Sequence, residues 1–473
     1  MGYLMRKFVL ALIICLVTAV PTFPQQTDKQ HQLITQIEAL LQELRTTLLP
    51  PAPPAIVLSD AAGIHTALNT PGTYKIAPGE YVGNFVFSAS DVVVDASGVV
   101  FRPEVPSIPT VRITGNNVTI TGLDVMNGYE GGETFTIGSN TITTMDELPR
   151  GIKLERVRLY AGERGGKRGF ALHGINITLI DCEAHNYWRQ GQDSQAIWIN
   201  NGPGPYTVLG EFYEASGENI MVGGAKQGIL SPDAIPSDIT VRNAHLYKPL
   251  DWKTKPGSVK NLFELKAGRR VLVENCVLEN NWKDAQAGSA ILIKADNQEN
   301  STPWIETSDV VFRGNIIRNS PDSFAINIRG IHTVTPAQRV RNVVFDHNLF
   351  VGIGNGIQTG NGVDGLTLTH NTFLTVTNTF LSFYDDQIVK FPTPLVCNNN
   401  VFHEGLYSIK GSGAAAGIAT LNLYAAAGYQ FVGNVIERNR GYVYPEGNTL
   451  LAAGELLLLL DPVTFKYPGD AGY

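Results

Sequence analysis

One pattern recurs along this chain and narrows the folds open to it more than any other feature: apolar-x-apolar-x-x-N-x-apolar, with asparagine or cysteine frequent at the sixth position. The copies read VVVDASGV from Val92, VTITGLDV from Val118, IKLERVRL from Ile152, ITLIDCEA from Ile177, YTVLGEFY from Tyr206 and ITVRNAHL from Ile239. They continue as VLVENCVL from Val271, VVFRGNII from Val310, VVFDHNLF from Val343, LTLTHNTF from Leu366, LVCNNNVF from Leu395 and YQFVGNVI from Tyr429. Their sixth positions run from Ser97 to Asn434 in eleven steps of 23 to 39 residues, the period of a solenoid whose units stack on one another. Within a copy the apolar residues alternate, as in a strand with one buried face, and the alternation breaks at the sixth position. Each copy therefore encodes strand, corner, strand. Asn315, Asn348, Asn371, Asn400 and Asn434 hold the corner in five consecutive copies. Asparagine tolerates left-handed backbone there, and its amide can bond to the coils above and below, so an internal ladder is predicted.

Repeats such as VVFDHNLF and LTLTHNTF, with stacked corner asparagines and Gly-rich turns, resemble the pectate-lyase-like superfamily over roughly Val57 to Arg440. The resemblance implies an all-β fold, a right-handed single-stranded parallel β-helix of about a dozen coils, here with an N-terminal helix. IHTALNTPGTYKIAPGEYVGNFVF, from Ile64, resembles the opening of such proteins, where a short helix caps the first coil. An uncapped end would expose apolar core and unpaired strand edges. GELLLLLDPVTFKYPGDAGY reads as the closing cap, so 57–445 is assigned to the β-helix and 446–473 to a capping tail. The superfamily includes lyases, hydrolases, esterases, epimerases and non-catalytic adhesins, so the fold does not name the activity.

Ahead of the repeats, Arg6 and Lys7 precede the apolar run Phe8 to Val20 and then Pro21, the layout of a secretory signal and too short for a comfortable membrane span. Residues 1–25 are expected to be removed, leaving a secreted protein, extracellular or periplasmic, with no membrane segment. Ile34, Ile37, Leu41, Leu44 and Leu48 form one stripe on a helix over 27–49, either lying over the end of the domain or forming a seam for an oligomer. Pro50 to Pro54 stiffen the linker 50–56. An odd number of cysteines then remains, Cys182, Cys276 and Cys397, which argues against a disulfide framework. A net charge of −7 gives no global basic footprint, so nucleic acid is excluded as a partner.

A second strand series lies between the copies: FALH at Phe170, IWIN at Ile197, IMVG at Ile220, FELK at Phe263, ILIK at Ile291, INIR at Ile326, IQTG at Ile357, LSFY at Leu381 and YSIK at Tyr407. With the first and third residues inward, the others form two solvent-facing columns. One reads His173, Asn200, Gly223, Lys266, Lys294, Arg329, Gly360, Tyr384, Lys410; its neighbour reads Ala171, Trp198, Met221, Glu264, Leu292, Asn327, Gln358, Ser382, Ser408. Cations on three successive coils repel at a strand spacing of about 4.8 Å unless an anion lies among them. The alternative is a solvated row neutralised by Glu264. The loops His185 to Gln195 and Leu246 to Asn261 are suited to be groove walls, and Trp188, Trp198, Trp252 and Trp282 offer flat faces to sugar rings or fill the core.

Removing the proton α to a uronate carboxylate requires a base, a group that neutralises the carboxylate and a proton donor. Adjacent lysines suit this, since a second cation favours the neutral amine of the first. In chondroitinase-B-like and alginate lyases, which this face resembles, a Lys base on one coil precedes an Arg on the next, often with calcium held by Asn and Glu. The resemblance implies Lys266 as base, Lys294 where the family has Arg, and Glu264 as the nearest calcium ligand; calcium is the one cofactor implied. Arg329, Glu264, Asn327, Trp198, Asn200, Gln358 and Tyr384 are the substrate-binding candidates, for an anionic polysaccharide. Asp385 and Asp386 resemble the paired aspartates of polygalacturonase-like hydrolases, whose Asn-x-Asp and Gly-His-Gly motifs are missing here. A non-catalytic glycan-binding or structural β-helix is the third class open to this sequence.

Overall fold

The computed structural model describes residues 55–473 apart from 129–131, 256, 385–389 and 470. The expected signal segment, the amphipathic helix 27–49, the Pro50 to Pro54 run, Asp385 and Asp386 lie outside the described residues.

Each repeat folds as its alternation dictates. Strands before the corner run from Ile56–Leu58 to Tyr429–Gln430, strands after it from Gly79–Val82 to Thr449–Leu451, and a third series from Phe85–Phe87 to Ser408–Gly411. Pairing is parallel and joins each strand to its counterpart one coil further on, as Val310 to Val343, Leu278 to Ile317 and Leu292 to Asn327 illustrate. The chain is thus an all-β parallel β-helix with three strand faces per coil, and residues 55–473 form one compact unit. Inward positions fill a continuous core in which rings stack between coils, Phe312 on Phe345 at 5.1 Å and Phe350 on Phe373 at 4.3 Å. The helix Ala61–Ala67, capped by Asp60 accepting from Gly63 N at 2.8 Å, buries Ile64 and Ala67 in that core.

The asparagine ladder is continuous. Each Nδ2 donates to the Oδ1 of the next rung, Asn315 to Asn348, Asn348 to Asn371, Asn371 to Asn400 and Asn400 to Asn434, at 2.9–3.0 Å. Asn448, which the repeat pattern did not single out, adds a further rung, and Cys276 N donates to Asn315 Oδ1 at the other end. The rungs Asn315 to Asn434 are fully buried, where an amide is tolerated only when its donors and acceptors are met. Cys182, Cys276 and Cys397 are free and buried.

The last residues turn back along the helix. Phe465, Tyr467 and Tyr473 pack with Leu456 and Leu460 over Leu349, Leu374, Val401 and Val435, and Gly472 N donates to Asn399 O at 2.7 Å. Among the described residues no helix is long and apolar enough to cross a membrane.

Candidate functional site

The third strand series carries the columns drawn from sequence. Its register pairs Ala171 with Trp198, Trp198 with Met221, Met221 with Glu264, Glu264 with Leu292, Leu292 with Asn327, Asn327 with Gln358 and Gln358 with Ser382. Arg329 likewise pairs with Gly360 and Gly360 with Tyr384. The last coil departs from the expectation. A register shift between Thr379 and Leu381 sets Leu381 against Ile409 and Ser382 against Lys410, so Lys410 leaves the cation column, and Tyr407, expected inward, is exposed. The extra residue is Phe380, opposite Ser408, which stands at φ +60.

Half of this face is not open to solvent, which corrects the expectation for Trp198, Asn200 and Glu264. Loop segments from neighbouring coils seal it. Asn200 is fully buried, its Nδ2 on Asn140 Oδ1 at 2.5 Å and its carbonyl accepting from Gln227 Nε2 at 2.6 Å. Trp198 is buried against Ala171 and Met221, donates Nε1 to Gly223 O at 3.0 Å and carries the Arg168 guanidinium 3.9 Å over its ring. Trp198 offers no open ring face there. Trp252 and Trp282 likewise form a small core, with Trp188 packed against them. The two loops expected as walls tie to each other instead, Ser258 N donating to Arg189 O at 2.8 Å and Lys260 pairing with Asp193.

The cation row divides. Lys266 is nine-tenths buried beneath the turn at Gly224, where an added Cβ would meet Met221 Cε at 2.1 Å and Lys266 Cδ at 3.0 Å. Its Nζ lies 3.1 Å from Glu264, a fully buried carboxylate. Lys294 and Arg329 instead line a cleft of about 210 Å³ with Asn261, Ser289, Leu292 and Asn327. Lys294 Nζ is 2.7 Å from Asp296, which also meets Thr335 and lies 3.5 Å from His332. Arg329 Nε donates to Tyr384 Oη at 3.3 Å, Tyr384 Oη to Asn327 Oδ1 at 3.3 Å, and Asn327 Nδ2 to Gln358 Oε1 at 3.1 Å. Arg329, Asn327, Gln358 and Tyr384 are thus brought together as one network on three coils. Among the described residues Arg329 has no carboxylate within 4.0 Å.

Charges set the chemistry. Burial alone would loosen the Lys266 proton, but the charge of its neighbours, Glu264 first, outweighs it and holds the ammonium above its ordinary range. The activation expected from a neighbouring lysine is therefore overridden. Burial would also raise Asp296, yet hydrogen bonds from Lys294 and Thr335 keep it low. Calcium does not fit the Glu264 position. The ion takes about six to eight oxygens, whereas ammonium groups already stand against Glu264 and, at 3.8 Å, Glu218. Asp296, missed from sequence, was within reach of the pattern: Glu264 and Lys266, like Lys294 and Asp296, stand two residues apart, the same-face spacing of a strand.

No family model and no curated protein matches this chain. Among solved structures it is similar to the PL6 family polysaccharide lyase Pedsa3628 of Pseudopedobacter saltans, at 12% identity and a TM-score of 0.47, over 81% of this chain and 93% of that one. It is similar to the A-module of the Azotobacter vinelandii mannuronan C-5 epimerase AlgE4, at 14% identity and 0.39, over 85% and 98%. A mutant of the tailspike protein of E. coli bacteriophage HK620, in complex with a pentasaccharide, matches at 13% identity and 0.45, over 89% and 80%. Likeness at this level decides nothing about chemistry.

Proposed function

We propose that this protein binds an acidic, uronic-acid polysaccharide in the cleft of Lys294 and Arg329 and cleaves it by β-elimination, as an exported right-handed β-helix of about a dozen coils whose 27–49 helix is available for self-association. The observation that carries the reading is Arg329: a guanidinium beside Lys294 in a polar cleft, with no carboxylate of its own among the described residues, on a chain of net charge −7. Arginine presents a planar donor fork that matches a carboxylate. In the elimination Arg329 neutralises the uronate carboxylate and a base takes the α proton. That C–H electron pair becomes the new double bond, and the C4–O bond breaks with its oxygen taking a proton. Lys294 is the catalytic candidate that lines the cleft. Lys266 and Glu264 stand on the coil beside Lys294, behind the surface, and Trp198 and Asn200 are buried two coils further back. The lyase and epimerase neighbours act on related polymers by name, but the reading rests on the cleft.

A binding-only role has one observation in its favour: Lys266 is held protonated by its carboxylate neighbours, so it is poorly set as a base. Incubation with a panel of uronic-acid polysaccharides separates these. Elimination raises ultraviolet absorbance from the unsaturated product, and Lys294→Ala abolishes it. Reducing ends without absorbance indicate hydrolysis. Binding without either product leaves the glycan-binding reading. Arg329→Ala weakens binding by about tenfold to a hundredfold, the loss of a charged hydrogen bond, and added salt weakens it in the wild type. Binding indifferent to salt and to Arg329 would sink both readings.

A further inference from the structure

We propose that Asp346, His347 and His370 form a transition-metal site on the solenoid edge, separate from the cleft, taking Zn(II) or Cu(II). Asp346 ends the strand Arg341–Asp346, and each histidine stands at a corner just before a ladder asparagine. The repeat brings them together because the two corners belong to successive coils. One donor atom from each residue lies within 4.8 Å of the others, with Asp346 Oδ1 2.8 Å from His347 Nδ1 and 3.5 Å from His370 Nδ1. Among the described residues no other group of three His, Cys, Asp or Glu converges in this way.

Three further features point to a ligand. The corner backbone is left-handed in both residues, φ +53 and +54, a conformation filled by Gly314, Asn399 and Gly433 on other coils. Two successive coils place imidazole there, stacked at 4.5 Å. His370 Nδ1 is buried and, among the described residues, has no hydrogen-bond partner, with Asp346 Oδ1 3.5 Å away. The outer shell is also in place. Thr369 Oγ1 donates to Asp346 Oδ1 at 2.9 Å, and the Asn399 amide lies 3.3 Å from His370 Nε2. With its oxygen turned to the ring, that amide accepts Nε2–H and leaves the lone pair on Nδ1, the usual second contact of a metal-bound histidine.

Two imidazole nitrogens and one carboxylate oxygen suit zinc or copper rather than calcium or magnesium, and leave a coordination position for water or a ligand. Bonds of about 2.0–2.1 Å need donors about 3.3 Å apart. The approach is made by His347, whose side chain is half exposed and free to pivot until its lone pair converges with that of His370.

The test is calorimetric titration of the untagged full chain with Zn(II), with Cu(II) electron paramagnetic resonance as a second readout. His347→Asn and His370→Asn keep the fold, because asparagine holds the left-handed corner as Asn399 does. The wild type takes up one Zn(II) here, each variant raises Kd at least about tenfold, and the copper spectrum falls from two coupled nitrogens to one. Asp346→Asn, which still accepts from Thr369, weakens uptake without loss of a nitrogen. Equal Kd in the wild type and the double histidine variant, or uptake by neither, overturns the site.

Discussion

Glu218 is fully buried, its Oε2 accepting from Gln195 Nε2 at 2.8 Å. Burial, then the charges of Glu264 and Asp193, push its carboxyl from 4.5 up to about 8. The folded protein therefore keeps this proton where the unfolded chain has released it. A raised folded value means that the group's stabilising contribution is full below pH 4.5 and is lost as pH rises through about 8. Glu218→Gln removes the titration and retains an oxygen for Gln195. The stability difference between variant and wild type, from urea unfolding at pH 5 and pH 9, should move by on the order of 2–4 kcal/mol in the variant's favour; an unchanged difference would mean that the carboxyl is not held protonated. Lys248 is a second buried titratable group, lowered by burial from 10.5 to about 7, but a caged one: its Nζ lies within hydrogen-bonding distance, 2.7–3.0 Å, of the carbonyls of Ala215, Ser216 and Gly217 and of Asn219 Oδ1. Neither residue was singled out from sequence, because a lone Glu or Lys carries no sign of what will cover it. Arg329, Asn327, Gln358 and Tyr384 were legible, because strand alternation alone assigns their side.

At the scale of the element, the corner asparagines tie one coil to the next. Asn371 Nδ2 donates to Phe345 O, Thr369 O and Asn400 Oδ1, and its Oδ1 accepts from Asn348 N and Nδ2, all at 2.8–3.0 Å. Asn371→Ala strands a buried backbone N–H, of Asn348, and a buried carbonyl, of Phe345, on the preceding coil and should cost about 2–4 kcal/mol in urea unfolding. Asn448→Ala, at the partly buried end of the ladder, should cost less. Equal losses would show that the rungs act singly and not as a continuous stack. The ladder was readable because position six recurs with one residue type. The register shift between Thr379 and Leu381 was not, since a bulge adds a residue without changing the apolar composition that marks a strand.

At the scale of the whole molecule, the chain's final residues cover apolar side chains that a strand series turns outward. Deleting 461–473 removes Phe465, Tyr467 and Tyr473 from Leu349, Leu374, Val401 and Val435. The truncated protein should melt several degrees lower and bind an apolar dye; an unchanged melting curve would mean that this contact contributes nothing to stability. The same long-range logic divides what each level of description could reach. By itself the sequence determined the coil: alternation chose the inward side chains, asparagine chose the corner, and repetition chose the stacking, all from interactions within a copy or with its neighbour. Only the tertiary structure decided which outward side chains meet solvent. Asn140 and Gln227, from segments far apart in the chain, close over Asn200, and the turn at Gly224 closes over Lys266, while Lys294 and Arg329 stay open. Burial on that face depends on where irregular loops land, and loops carry no period from which their landing can be read.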